Sequence, residues 1–171
     1  CLIVVGFESS NDKILKDMKK GMTLKRMKQF VSDAKKAKVM IHACFMAGNK
    51  GETKETLRNS LEFAKEINAD TCQFFPMMVY PGTEDYDWAK ANKYLDETDF
   101  EKWLSPDGMH NCVVSTPELS SKELVDFCDD ARREYYIRPR YLGKKIIQMF
   151  TNPGEIVKTA KAAKTFARHL F

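Results

Sequence analysis

The sequence lacks most of the short signatures that announce a chemistry. Its five cysteines, Cys1, Cys44, Cys72, Cys112 and Cys128, are scattered and form no Cys-x-x-Cys pair. That removes the simplest thiol-redox and zinc motifs, and an odd, dispersed set argues for a reducing cytoplasm rather than a disulfide framework. The three histidines, His42, His110 and His169, lie far apart and beside no cysteine at ligand spacing, so no metal site can be placed. No Gly-x-x-x-x-Gly-Lys-Ser/Thr loop occurs, which disfavours a P-loop phosphate binder. No Ser-His-Asp or Cys-His pairing can be assigned. No apolar run approaches the ~20 residues of a membrane span. With 171 residues the chain is also too short for a closed (β/α)8 barrel of about 250.

What is present is globular. Hydrophobic residues make up 43% of the chain and charged residues 30%, with a net charge of +4 that identifies no partner. The chain opens at Cys1 inside what reads as a strand, which predicts a piece of a longer protein. Residues 2–7 are a continuous apolar run, the pattern of a strand in a parallel sheet. Ile14, Leu15 and Met18 then recur at helical spacing, with Gly21 as a stop. Thr23 caps a second helix that carries Leu24, Met27, Phe30, Val31 and Ala34.

Residues 39–46 form a second strand with one polar group, His42, read as a satisfied core histidine. A Gly-rich loop ends at Thr53, an N-cap for a helix running to about Ile67. Residues 71–75 form a third strand stopped by Pro76, and Tyr80-Pro81-Gly82-Thr83 is a turn. Alternating strands and helices imply βαβ units with right-handed crossovers. Beyond residue 80 the pattern is helical. A short acidic helix spans 85–93, a loop lies near 105–114, and Ser120-x-x-Glu123 is a capping box for a helix bearing Leu124, Cys128, Ala131 and Tyr135. Pro139, between Arg138 and Arg140, punctuates the chain, and Asn152-Pro153 starts a last helix with Ile156, Ala160, Ala163 and Ala167. The basic stretches 13–38 and 132–168 read as solvated helix faces. No basic-aromatic motif points to nucleic acid.

In parallel α/β folds, functional groups gather at the carboxyl ends of strands. Three such ends occur here: Gly6-Phe7-Glu8-Ser9-Ser10, Met46 through Thr53, and Gln73-Phe74-Phe75-Pro76 leading to the Tyr80 turn. Glu8 and the serines can hydrogen-bond a ribose or an amine, or cap the next helix. Gly48 and Gly51 admit close backbone approach, or simply make a loop. The aromatics can wall a flat ligand, or pack the core.

In this order the strand ends resemble the second half of the radical S-adenosylmethionine (SAM) core. The resemblance rests on Val5-Gly6-Phe7-Glu8-Ser9, Lys19-Lys20-Gly21, His42 through Gly48, Gly51-Glu52-Thr53 and Tyr80-Pro81-Gly82-Thr83. It is most similar to the subclass associated with an N-terminal cobalamin-binding domain, of the Mg-protoporphyrin ester cyclase and hopanoid-associated type. Tyr136-Ile137-Arg138-Pro139-Arg140 extends it less specifically.

The fold class implied is α/β: a fragment of a partial (β/α) barrel with about three parallel strands, the fourth to sixth of the family, then a helical C-terminal region. Residues 1–95 would be the barrel half and 96–171 the helical extension. Glu8 and Ser9 would meet the SAM ribose and methionine end, and Lys20 its carboxylate. Met46 and Gly48 would pack on adenine, and the backbone of Gln73, Phe74 and Phe75 would help hold it. The parent, an iron–sulfur oxidoreductase, would cleave SAM reductively to a 5′-deoxyadenosyl radical that abstracts hydrogen from its substrate. Cobalamin is a further cofactor the subclass allows.

Two departures stand out. The family's Gly-Leu-Pro-Gly-Glu loop is Gly48-Asn49-Lys50-Gly51-Glu52 here, and the Cys-x-x-x-Cys-x-x-Cys motif that ligates the [4Fe–4S] cluster is absent. The cluster ligands would lie outside this chain, which alone would be inactive. The contrasting reading is a non-catalytic α/β interaction module. The remaining expectations are a small-molecule substrate, the rest of the parent chain as partner, no nucleic acid, no membrane span, and self-association through an exposed strand edge at residues 2–7.

Overall fold

The fold is that of a computed structural model, which describes residues 1–97, 99–103, 112–151, 154, 159 and 161. Three parallel strands, β1 (Leu2–Glu8), β2 (Met40–Ala47) and β3 (Thr71–Pro76), form one sheet in the order β1-β2-β3. The crossovers are helical: α1 (Asp12–Asp17) and α2 (Leu24–Lys36) between β1 and β2, and α3 (Lys54–Ile67) between β2 and β3. After β3 come α4 (Glu84–Ala91), a 3₁₀ turn at Phe100–Trp103, α5 (Ser121–Ile137) and α6 (Pro139–Thr151). The α/β class and its helical C-terminal part agree with the sequence reading.

The helices start where side chains can cap them. The Thr23, Thr53, Thr83 and Ser120 side chains each accept a hydrogen bond from a first-turn N–H, and Thr53–Thr56 and Ser120–Glu123 are reciprocal capping boxes. Asn11, rather than Ser9 or Ser10, caps α1.

Alternation along the strands divides the sheet into two faces. On one face Phe7, Ile41, Ala43, Phe45, Cys72 and Phe74 are buried under α2, α3 and α5. A row of rings, Phe7–Phe45 at 5.9 Å and Phe45–Phe74 stacked at 5.0 Å, runs across all three strands. Each such buried ring contributes about 1.5–3 kcal/mol. The other face, with Val4, Gly6, His42, Cys44, Met46, Gln73 and Phe75, is half-buried or exposed. Parallel sheets ordinarily bury both faces, so this open face is the unusual surface of the molecule.

The two sheet edges differ. At the β3 edge the Tyr136 hydroxyl accepts from the Cys72 N–H at 3.0 Å and donates to the Cys72 carbonyl at 2.8 Å, so α5 seals the backbone there. Among the described residues the β1 edge has no such cover, and Leu2, Ile3 and Val4 are exposed, whereas Val5 and Gly6 are half-buried and Phe7 is buried.

Two sequence readings change. Pro139 does not merely punctuate: Arg138 is extended, as residues before proline tend to be, and Pro139 opens α6. Within the stretch read as loop, Val114 pairs with Leu95 in an isolated antiparallel bridge. The expected helix from Asn152 lies outside the described residues, apart from isolated positions, as do His110 and His169.

Candidate functional site

The open face presents rows set by strand register: Val4–His42–Thr71, Gly6–Cys44–Gln73 and Met46–Phe75. The pairing slips between Gly6 and Glu8, leaving Phe7 as an extra residue. Such a bulge re-aims the side chain that follows it. Glu8 has φ 66°, and the Ser9 N–H closes a three-residue turn on the Phe7 carbonyl at 2.9 Å. Positive φ on a side chain other than glycine is strained, and the surroundings must hold it.

They do so through the carboxylate, which folds back over Gly6. A Cβ built on Gly6 would stand 2.1 Å from Glu8 Oε1 and 3.2 Å from Lys20 Nζ. Glu8 Oε1 accepts from Lys20 Nζ at 2.9 Å, and the Glu8 side chain is only 13% exposed. Its other oxygen, Oε2, is buried with no hydrogen-bond partner among the described residues. A buried carboxylate oxygen left unpaired is costly, and a ligand hydroxyl or ammonium would satisfy it.

The other residues singled out from the sequence are distributed around this point. Ser9 is fully buried, and its hydroxyl accepts from the Asn11 N–H at 3.2 Å, so it staples the turn. Met46 lies on the open face and packs against a second, smaller core of Met77, Val79, Ala89, Trp103, Val113 and Val114. Gln73 and Phe75 share that face. Phe74 points the other way, stacked on Phe45, and only its backbone remains to serve a ligand. Gly48, at φ 101°, lies close to α5: an added Cβ would come within 2.7 Å of Leu124.

Glu52 did not emerge from the sequence as a site residue. It is 3% exposed, and its Oε2 accepts from the Gly48 N–H (2.8 Å), the Asn49 N–H (2.9 Å) and Asn49 Nδ2 (3.2 Å). Oε1 is buried without a partner. Burial outweighs the three donors and raises its pKa to about 7. The carboxyl thus locks the loop after β2. His42 is satisfied as expected, its Nδ1 2.7 Å from Thr71 Oγ1, but it lies half-buried on the open face and not in the core. Burial first, then the Glu8 charge, raises the Cys44 thiol pKa, so that thiol stays protonated.

Two loops reach α4. Lys19 Nζ contacts Glu84 at 2.6 Å, tying the loop after α1 to the start of α4, and Lys50 Nζ lies 5.9 Å from the centre of the Trp88 ring. Among the described residues no three of His, Cys, Asp and Glu cluster as a metal site. All five cysteines are unpaired.

Comparison with known proteins adds two relatives. The chain is similar to an uncharacterized methyltransferase of Pyrococcus horikoshii, 30% identical over 158 residues, covering 92% of this chain and 33% of that protein. It is also similar to the tRNA-2-methylthio-N(6)-dimethylallyladenosine synthase of Buchnera aphidicola, 34% identical over 97 residues, covering 56% of this chain and 21% of that protein. The chain spans a third or less of the length of these curated relatives. No protein-family model matches.

Proposed function

We propose that this chain supplies the SAM-binding wall of a radical SAM-like enzyme. The carrying observation is Glu8: a strand-end carboxylate bent back over Gly6, with one oxygen on Lys20 and the other buried and unpaired. SAM fits these donors and acceptors. Its ribose hydroxyls or ammonium would take Glu8 Oε2, its carboxylate would take the Lys20 ammonium, and the Met46–Phe75 row offers an apolar floor for adenine. Bound SAM, beside a reduced [4Fe–4S] cluster whose thiolates come from outside residues 1–171, supplies the family's radical chemistry.

This chain's own part is binding and orientation. Glu8 and Lys20 fix the polar end, Gly6 leaves room for them, and the Glu52 lock holds the loop beside the adenine floor. Residues 1–95 make these contacts, and α5 packs against β3 behind them. The relatives' names support a parent that transfers a methyl or methylthio group. The order of the motifs favours the cobalamin-associated subclass. The open β1 edge is where the rest of the parent sheet would pair; without it the chain would self-associate there.

Isothermal titration of SAM into the full-length parent tests the site. Glu8→Gln is expected to raise Kd by about tenfold or more, the weight of one charge-assisted hydrogen bond. An unchanged Kd removes Glu8 from the site and with it the proposal.

A further inference from the structure

Helix α6 is built the wrong way round for a helix packed on a soluble core. Its inward side carries Tyr141, Lys144, Lys145 and Gln148, all buried or half-buried. Lys144 Nζ is held by Asp70 Oδ1 at 2.7 Å, and Gln148 Oε1 is buried without a partner. Leu142, Ile146 and Phe150, spaced four residues apart, face outward with Ile147, at 46%, 49%, 85% and 65% exposure. A stripe of this kind on a surface helix marks an interaction site.

The charges around the stripe identify the partner. The segment Pro139–Thr151 contains Arg140, Lys144 and Lys145 but no acidic residue. Angular spacing puts Arg140 at one border of the stripe, while Lys144 and Lys145 sit on the inward side, Lys145 Nζ 5.7 Å from the centre of the Tyr141 ring. The basic end of α2 joins them: burial first, then Lys144 and Arg140, lower the pKa of Lys35, so these cations lie within one another's field. Lys36 and Lys38 add exposed charge at the same end of α2. The two basic stretches of the sequence therefore converge here.

We propose that α6 is an interfacial helix that lays Leu142, Ile146, Ile147 and Phe150 into an anionic lipid surface, with Arg140 and the α2 lysines on the headgroups. Four side chains on one short helix fall well below the ~800 Å² per partner of a stable dimer. Bordering cations would repel a second copy of the same surface. A polyanion such as RNA would use the cations and leave the apolar stripe unexplained. Among the described residues no helix is long and apolar enough to cross a membrane, so the helix lies on the surface. This inference is independent of the SAM reading.

The test is co-sedimentation of the 171-residue chain with vesicles of phosphatidylcholine and phosphatidylglycerol at about 2:1, against phosphatidylcholine alone. Binding is expected only to the anionic vesicles, weakened by salt and reduced about tenfold or more by either Phe150→Glu or Ile147→Glu. Both positions are exposed, so circular dichroism and the urea midpoint should match the parent chain. Failure to sediment with anionic vesicles, or binding undiminished in both variants, overturns the proposal. So does a concentration-dependent dimer, seen by light scattering, that both variants abolish without vesicle binding; that result would assign the stripe to a second copy.

Discussion

The Glu52 lock makes an unusual demand on the pH dependence of stability. A carboxylic acid whose pKa is raised by folding holds a proton in the folded chain that the unfolded chain has already released. Glu52 rises from an ordinary 4.5 to about 7. Its contribution is therefore complete below pH 4.5 and is lost as pH climbs to about 7, the reverse of an ion-paired carboxylate. At about 1.4 kcal/mol for each pH unit, the loss amounts to about 3 kcal/mol. Other shifted carboxyls stay out of this window. Glu123 is drawn down to about 2, chiefly by its hydrogen bond to Lys54, while hydrogen bonds to Arg58 and Lys65 lower Glu134. Urea unfolding from about pH 5 to about pH 8, on the parent chain and on Glu52→Gln, isolates the effect. The variant keeps an acceptor for the Gly48 and Asn49 N–H groups but cannot ionise. It should match the parent chain to within about 1 kcal/mol at the acid end and exceed it by about 2–3 kcal/mol at the alkaline end. Parallel curves would refute the reasoning, because the buried carboxyl would then not be titrating in the window.

Two further substitutions separate the site from the fold. Gly6→Ala puts a Cβ 2.1 Å from Glu8 Oε1, so the carboxylate must swing out of its seat; SAM titration into the parent should show binding lost, while urea unfolding moves by no more than about 1 kcal/mol. Tyr136→Phe strips the cover from the Cys72 N–H and carbonyl. It should cost about 1–3 kcal/mol in urea unfolding and speed hydrogen exchange at Cys72, whereas unchanged exchange would show that the hydroxyl does not seal this edge.

How much of this was legible in the sequence depends on the range of the interactions. Thr23, Thr53 and Ser120 act within one helical turn, and each is visible as a cap. The alternation Ile41, Ala43, Phe45, Ala47 shows a strand with one deeply buried face. Glu8 was reached through a resemblance, yet its strained turn was not, because a non-glycine residue reaches positive φ only when distant groups hold it, here Lys20. Glu52 was quoted within the Gly51-Glu52-Thr53 motif but not singled out, because what buries it is distant in sequence. The carboxyl is buried beside α5, some seventy positions on, whose Leu124 presses on Gly48 and whose Cys128 feels the Glu52 charge. Helix α6 was not read as an element, because Pro139 was taken as punctuation where it opens the helix, and its apolar stripe points outward.

That exception and the open sheet face follow one logic. Where this chain completes its own interactions, polar groups are paired and apolar groups covered: Tyr136 on the β3 edge, Thr71 on His42, the phenylalanine row under α2, α3 and α5. Where it does not, the deficit has a definite chemistry. Glu8 Oε2 lacks a donor, and the β1 edge presents exposed Leu2, Ile3 and Val4. A folded chain tolerates such deficits only if their cost, about 1–3 kcal/mol for one unpaired buried oxygen, is small beside the core or is repaid on binding. The kind of deficit then limits the partner. A single carboxylate oxygen calls for a small donor such as a hydroxyl or an ammonium, whereas four apolar side chains bordered by cations call for an extended surface with both oil and negative charge.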